Sequence, residues 1–300
     1  MDIVTHGMMG IALAGPMLTT SPAGAAGFML GSVAPDLDAL SRCFGKRAFL
    51  TWHQGITHGF PVFVIVGLFV QLASSCLPTE VVQGISGVCL GAALHAFLDL
   101  TNTYGVRAGA HFSTLRYCWE WLFFIDASVI CPTIPAATVA VATLGNNSPT
   151  AVAVAITYAG SLIVYLIGRA ILHTLARRHC PANTISMIPS ALWPWQYMIC
   201  TRQERTARII KLNAVTGEMR HLCEHIIFDD QIVAALSQIP EYRTMAKLSP
   251  AYHVTEFQQT GDTTSVRCRD LRTVNFGTTF GMLDIVLDQQ LQPLSVFLHV

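Results

Sequence analysis

Charge is what this sequence has least of. Only 12% of its 300 residues are Asp, Glu, Lys or Arg, whereas soluble globular chains stand near a quarter. The shortage is uneven. Residues 1–172 hold six Lys/Arg and seven Asp/Glu, and residues 173–300 hold the other twelve and eleven. The front is membrane-like and the back soluble-like. Basic runs are missing and the formal net charge is zero, which argues against a nucleic-acid partner. The nine cysteines contain no CxxC pair. Their odd, scattered set argues against a disulfide framework and leaves them as small apolar filler. The sequence also lacks a Gly-rich phosphate loop and a Gly-x-Ser-x-Gly elbow. Asp2 and His6 stand where a cleavable signal peptide would carry its basic region.

What is present is apolar, at 52% of residues. From His6 to Val33 the only ionisable group is His6 itself, and Thr19-Thr20-Ser21-Pro22 interrupts the run. This predicts a hairpin of two short helices, about 6–18 and 23–34, each shorter than the roughly 20 residues that a spanning helix needs. Four longer stretches predict membrane spans: Gly59–Leu77, Glu80–Thr101, Phe123–Leu144 with Pro132 and Pro135 inside it, and Ala151–Leu172. In the second of them Gly84, Gly87, Gly91, Ala92 and Ala93 suit close helix packing. After Arg177-Arg178 the character changes. Pro181–Trp195 reads as a linker. Arg208–Leu212, Met219–Cys223, Ser265–Arg269 and Leu283–Leu287 read as strands, and Gln231–Gln238 as a short helix. The expected fold is an α-helical membrane bundle of about four to six membrane-embedded helices over residues 1–178. A small β-rich soluble domain follows over 179–300.

The loops divide by charge. One face of such a bundle receives Arg42, Lys46, Arg47, Arg107, Arg116, Arg169, Arg177 and Arg178, whereas the turns 19–22, 76–80 and 145–149 have no Lys or Arg. The positive-inside rule puts the first face, and the tail, in the cytoplasm.

The same bookkeeping collects the candidate chemistry on that face. His6 opens the first helix, Asp36 and Asp38 follow the second, and His53 and His58 precede the third. His95 and Asp99 close the fourth, and Asp126 opens the fifth. His95 and Asp99, four apart, share a helix face and can grip one ion. Asp36 and Asp38 follow Pro35, which suits an extended loop offering both carboxylates the same way. Each piece has an ordinary reading: a core His–Asp pair, or Asx turn chemistry after a proline. Buried Asp99 is harder to dismiss, because unpaired carboxylates near lipid are costly. Imidazole with carboxylate and no thiolate suits a divalent transition metal, zinc first and manganese second. Seven candidate ligands (His6, Asp36, Asp38, His53, His58, His95 and Asp99) exceed one tetrahedral ion. They leave open two ions, or one ion plus a catalytic base drawn from Asp38 or Asp126. His111 and the His221-x3-His225 pair are off-pattern. Trp119-Glu120-Trp121 reads first as an interfacial aromatic belt.

Thr5-His6, Gly31-x3-Pro35-Asp36-x-Asp38, His53-Gln54-Gly55-Ile56-Thr57-His58 and His95-x3-Asp99 followed by Gly105 resemble the bacterial inner-membrane metal-dependent hydrolases of the YdjM type. The likeness covers residues 1–172. The family's His-Arg-Gly-x-Thr-His-Ser pattern is altered here, with Gln54 for the Arg and Gly59 for the Ser. Both histidines stay in place. A looser likeness, in His-x3-Asp with further His and Asp, is to zinc-dependent phospholipases C. The resemblance implies a multi-pass protein of the bacterial inner membrane with a metal-dependent hydrolase site. A site at the cytoplasmic face suits an amphiphilic, lipid-like substrate drawn from the bilayer. The rival expectations are a metal-ion or proton-coupled transporter and a scaffold with a structural metal.

The charge asymmetry has a direct test. Topology reporters fused at Asn147 and at the C-terminus should report opposite sides of the membrane, and finding both on one side would remove the basis for grouping the His and Asp residues on one face.

Overall fold

Asp2 starts the first helix by accepting hydrogen bonds from the backbone N–H groups of Val4 and Thr5. This N-cap begins α1 (Ile3–Ala14) three residues earlier than periodicity alone suggests. The computed structural model describes residues 2–52, 55–110, 112–113, 115–143, 149–203, 206–226, 230–274 and 278–299. His53 and His111 lie outside the described residues.

A 3-10 turn, Gly15–Thr19, closes α1, and α2 (Pro22–Gly31) completes the predicted hairpin. Ala34–Phe44 then runs as a 3-10 helix, not as the extended loop expected for Asp36 and Asp38. With three residues per turn, positions i and i+2 point about 120° apart, so the two carboxylates diverge. Helix α3 (Lys46–Trp52) and a 3-10 turn at Ile56–His58 lead into α4 (Phe60–Leu72), which stops short of the predicted Leu77. Helix α5 (Thr79–Leu100) matches its predicted span. Helix α6 (Ala127–Ala142) begins four residues later than predicted, because Asp126 caps it. Helix α7 (Pro149–His179) is one continuous rod. Ala48–Leu72, Thr79–Leu100 and Pro149–His179 are long and apolar enough to cross a membrane, and Ile3–Thr19 and α6 are shorter apolar helices.

Two compact units result. The first comprises Met1–Ser41, Trp52–Ile171 and Ala191–Pro194, and the second Arg42–Thr51, Leu172–Ser190 and Trp195–Val300. In the first, the apolar core joins Met9, Leu98, Leu122, Val129 and Leu162. Its tightest feature is the crossing of α2 and α5. A Cβ added at Gly27 would lie 2.1 Å from the Gly84 carbonyl oxygen, one at Gly87 2.2 Å from that of Gly24, and one at Gly91 2.2 Å from that of Phe28. Backbone therefore rests on backbone, which only glycine permits.

The second unit carries two four-stranded antiparallel sheets, each in sequential order. One holds β1 (Thr184–Pro189), β2 (Gln196–Gln203), β3 (Thr206–Asn213) and β4 (Met219–Ile226). The other holds β5 (Tyr252–Thr260), β6 (Thr263–Asp270), β7 (Leu283–Leu287) and β8 (Pro293–Leu298). Helices α8 (Asp230–Leu236) and α9 (Pro240–Leu248) join the sheets in sequence. The strand-like stretches fall in β3, β4, β6 and β7 as expected, and Gln231–Gln238 largely in α8. The expected linker Pro181–Trp195 is a correction: its middle is β1. Pro189 is tolerated there because it ends an edge strand. Residues 42–51, expected as a membrane-face loop, belong to this unit. Leu50 is buried beside Ile232, Leu236, Val254, Cys268 and Ile285.

The helix crossing predicts a contrast between two glycines. Gly91→Val should cost about 3 kcal/mol or more by overpacking. Gly168→Val, on α7 with open space around it, should stay within about 0.5 kcal/mol. Thermal unfolding in detergent checks both, and equal effects would mean that the α2–α5 contact is not what orders this unit.

Candidate metal centre

The glycine crossing lays the end of α2 beside the last turns of α5. This brings Ser32 to His95, whose ring Nδ1–H donates to the Ser32 carbonyl oxygen at 2.7 Å. The carbonyl can only accept, so the proton is on Nδ1 and the Nε2 lone pair is free. His58 is fixed in the same sense. The Thr57 hydroxyl donates to Asp38 Oδ2 at 2.5 Å, which leaves its oxygen to accept from His58 Nδ1–H at 3.1 Å. Asp38 Oδ2 itself lies 3.6 Å from that nitrogen. Both imidazoles thus present Nε2 inward, each held from behind by an oxygen, as metal-binding histidines are.

The two Nε2 atoms meet at 3.2 Å. Asp36 Oδ1 lies 3.4 Å from His95 Nε2 and 3.7 Å from His58 Nε2. Asp99 Oδ2 lies 3.4 Å from His58 Nε2 and 3.7 Å from His95 Nε2. All four side chains are buried, and their ligand atoms lie within 4.8 Å of one another. A tetrahedral ion with bonds of 2.0–2.2 Å has edges of about 3.3–3.6 Å. Five of the six donor–donor distances, 3.2–3.7 Å, lie close to those edges, so the set could hold one divalent ion, and two carboxylates with two neutral imidazoles would balance its charge. Burial works to raise the Asp36 carboxyl, but its hydrogen bonds to His58 and His95 outweigh that and hold it below the usual carboxylate range.

The remaining expected residues surround or miss this set. His6 Nε2 donates to Asp99 Oδ1 at 3.1 Å, and its ring stacks on His95 with centroids 3.7 Å apart. It braces both groups from behind. Asp38 is half-buried behind His58 and outside the set of four. Asp126 is placed elsewhere: it caps α6 through the Ser128 N–H and accepts from the Tyr165 hydroxyl at 2.9 Å. Arg169 beyond it donates to the Trp121 and Pro194 carbonyls. Sequence reasoning missed Thr57 and Ser32. Thr57 had a signal, a hydroxyl next to a candidate ligand. Ser32 acts through its carbonyl oxygen, which no side chain advertises.

Fold and site together define a helical membrane protein with a buried two-histidine, two-aspartate centre. A family model described as YdjM inner membrane protein matches residues 1–172, and the chain belongs to that family. The "Uncharacterized protein YfhP" of Bacillus subtilis (strain 168) is 30% identical over 124 residues, 38% of this chain and 38% of that protein. The likeness thus spans little more than a third of either. No solved structure matches.

The geometry separates ligands from braces. Asp99→Asn should abolish stoichiometric metal. Thr57→Val should keep metal but weaken it about tenfold, as loss of an outer partner does. Asp126→Ala should leave metal content unchanged and lower stability by about 1 kcal/mol through loss of the cap. Metal per protein by mass spectrometry, with thermal unfolding alongside, reads all three; metal retained in Asp99→Asn would sink the assignment.

Proposed function

We propose that this chain is a metal-dependent hydrolase of the bacterial inner membrane, acting from the cytoplasmic face on a phosphoester or acyl bond of an amphiphilic substrate. The observation that carries this reading is the buried convergence of Asp36, His58, His95 and Asp99, with ligand atoms all within 4.8 Å of one another. Zinc fits the donors first and manganese second. A bound divalent ion would supply a water of lowered pKa and a Lewis acid for the substrate oxygen. The chain's own groups do the rest. His6 and Ser32 keep His95 and Asp99 in register. Thr57 holds the Nδ1 proton of His58 in place. Asp38, which accepts from the Thr57 hydroxyl and lies 3.6 Å from His58 Nδ1, orients that imidazole and would serve as base only through it. Asp126, the alternative base, lies outside the cluster, with its Oδ1 capping α6 and accepting from the Tyr165 hydroxyl. A second ion would need His53 as well.

One observation favours a second reading. Four protein donors, all buried, are what a closed structural site has. The hydrolase reading therefore requires an ion that takes a fifth or sixth ligand beside these four. Transport finds less support, because His95 and Asp99 sit in the last two turns of α5 and not at its middle.

Cobalt(II) discriminates between them. In purified protein a five- or six-coordinate spectrum, with phosphodiesterase or esterase turnover that chelation removes and metal restores, is the expected result. An intense tetrahedral spectrum with no turnover on either substrate class would replace the enzyme with a structural metal site.

A further inference from the structure

Arg169 is the first charged residue on α7. From Pro149 to Gly168 the helix carries none, and at 1.5 Å per residue this stretch is about 30 Å long, the thickness of a bilayer's hydrocarbon core. Arg169 therefore marks the depth at which that core gives way to headgroups. Its side chain is 1% exposed and acts as a staple. Nε donates to the Trp121 carbonyl at 2.8 Å, and a terminal guanidinium nitrogen donates to the Pro194 carbonyl at 2.7 Å. A further bond, from the Ala127 N–H to the Ala191 carbonyl at 3.0 Å, holds the other end of the same short segment. Ala191–Pro194 thus belongs to the helical unit, although the residues on either side of it belong to the other. The Trp121 N–H donates in turn to the Thr101 carbonyl, directly after α5. The end of α5, the start of α6, the Trp119–Trp121 stretch and Ala191–Pro194 are all fixed near the depth of Arg169.

Between these two bonded ends stand Leu192, 66% exposed, and Trp193, 51% exposed. We propose that Leu192 and Trp193 form a membrane-interface anchor, seated where the headgroup layer meets the acyl chains. The chain leaves the helical unit after Ile171 and, on its return at Ala191–Pro194, meets the bilayer a second time. Three observations name lipid as the occupant. Ile163, Val164 and Ile167, one to two turns before Arg169, are exposed on a helix long and apolar enough to cross a membrane, so the anchor continues a surface that lipid covers. Tryptophan suits this layer, because its ring favours the apolar side and its N–H the wet side, and Leu192 adds apolar area to the same contact. Ala191–Trp195 contains no charged residue, so seating it at the interface desolvates no ion.

The test uses full-length protein reconstituted in phosphatidylcholine vesicles. The chain has five tryptophans, and the emission lost in Trp193→Phe, taken as the difference from wild type, reports Trp193 alone. Phosphatidylcholine brominated near the headgroup should quench most of that emission. Bromine near the chain ends should quench less of it, and iodide in the water little. Should Trp193→Phe not fold, Leu192→Trp in the wild-type background adds a reporter at the neighbouring position, and its added emission should follow the same order. Quenching by iodide and not by brominated lipid puts the segment in water and overturns the anchor. Quenching by neither means that protein covers it, a second copy or another partner, and overturns the anchor equally. Strongest quenching by bromine at the chain ends overturns the depth assigned through Arg169, and the interfacial anchor with it.

Discussion

Helix α5 can offer His95 and Asp99 to a partner only because α2 lies against it at backbone distance. At that crossing the carbonyl oxygens of Gly24 and Phe28 occupy the space that side chains at Gly87 and Gly91 would fill. In a bilayer the helices gain nothing from leaving water, so close contact and small residues must hold them. The consequence reaches beyond the crossing. Ser32, one residue past α2, can place its carbonyl on His95 only when the two helices touch. The 3-10 helix after it then brings Asp36 Oδ1 to 3.4 Å from His95 Nε2. The place of His95 and of Ser32 behind it thus depends on a crossing made by glycines outside the cluster.

The next layer is electrical. Two buried carboxylates and three buried imidazoles share a small volume, an arrangement too costly to leave uncompensated in a medium of low polarity. The hydrogen bonds assign each group one task. Carbonyl and hydroxyl oxygens hold the Nδ1 protons of His95 and His58. His6 gives its Nε2 proton to Asp99. These choices leave two nitrogen lone pairs and two carboxylate oxygens facing one point. A cation there satisfies all four at once.

How much of this was legible in the sequence depends on the kind of signal. Long apolar runs showed α4, α5 and α7, and alternation showed β3, β4, β6 and β7. His95 and Asp99 were readable as a pair because helix spacing is rigid. Asp36 and Asp38 were readable as important but not as different. Whether a post-proline segment is extended or a 3-10 helix depends on tertiary packing, and only the latter sends the carboxylates apart. Asp126 looked catalytic by its place at a helix start, yet a carboxylate there is also the ordinary N-cap, and the Tyr165 partner on α7 is invisible in local sequence. The strand inside the expected linker was hidden by three prolines, one of which the edge position of β1 accommodates.

The seating of residues 42–51 was the least legible feature, and the reason is general. Phe49 and Leu50 are apolar in a segment already counted as membrane-facing, so their burial against a distant sheet adds nothing to a local pattern. Long-range pairing of this kind costs loop entropy on folding, and the apolar burial of Leu50 in the core of the second unit offsets it. In the chain this segment lies between Asp36 and His58, two members of the buried His/Asp cluster, so that neither its burial nor theirs could be read from the residues beside them.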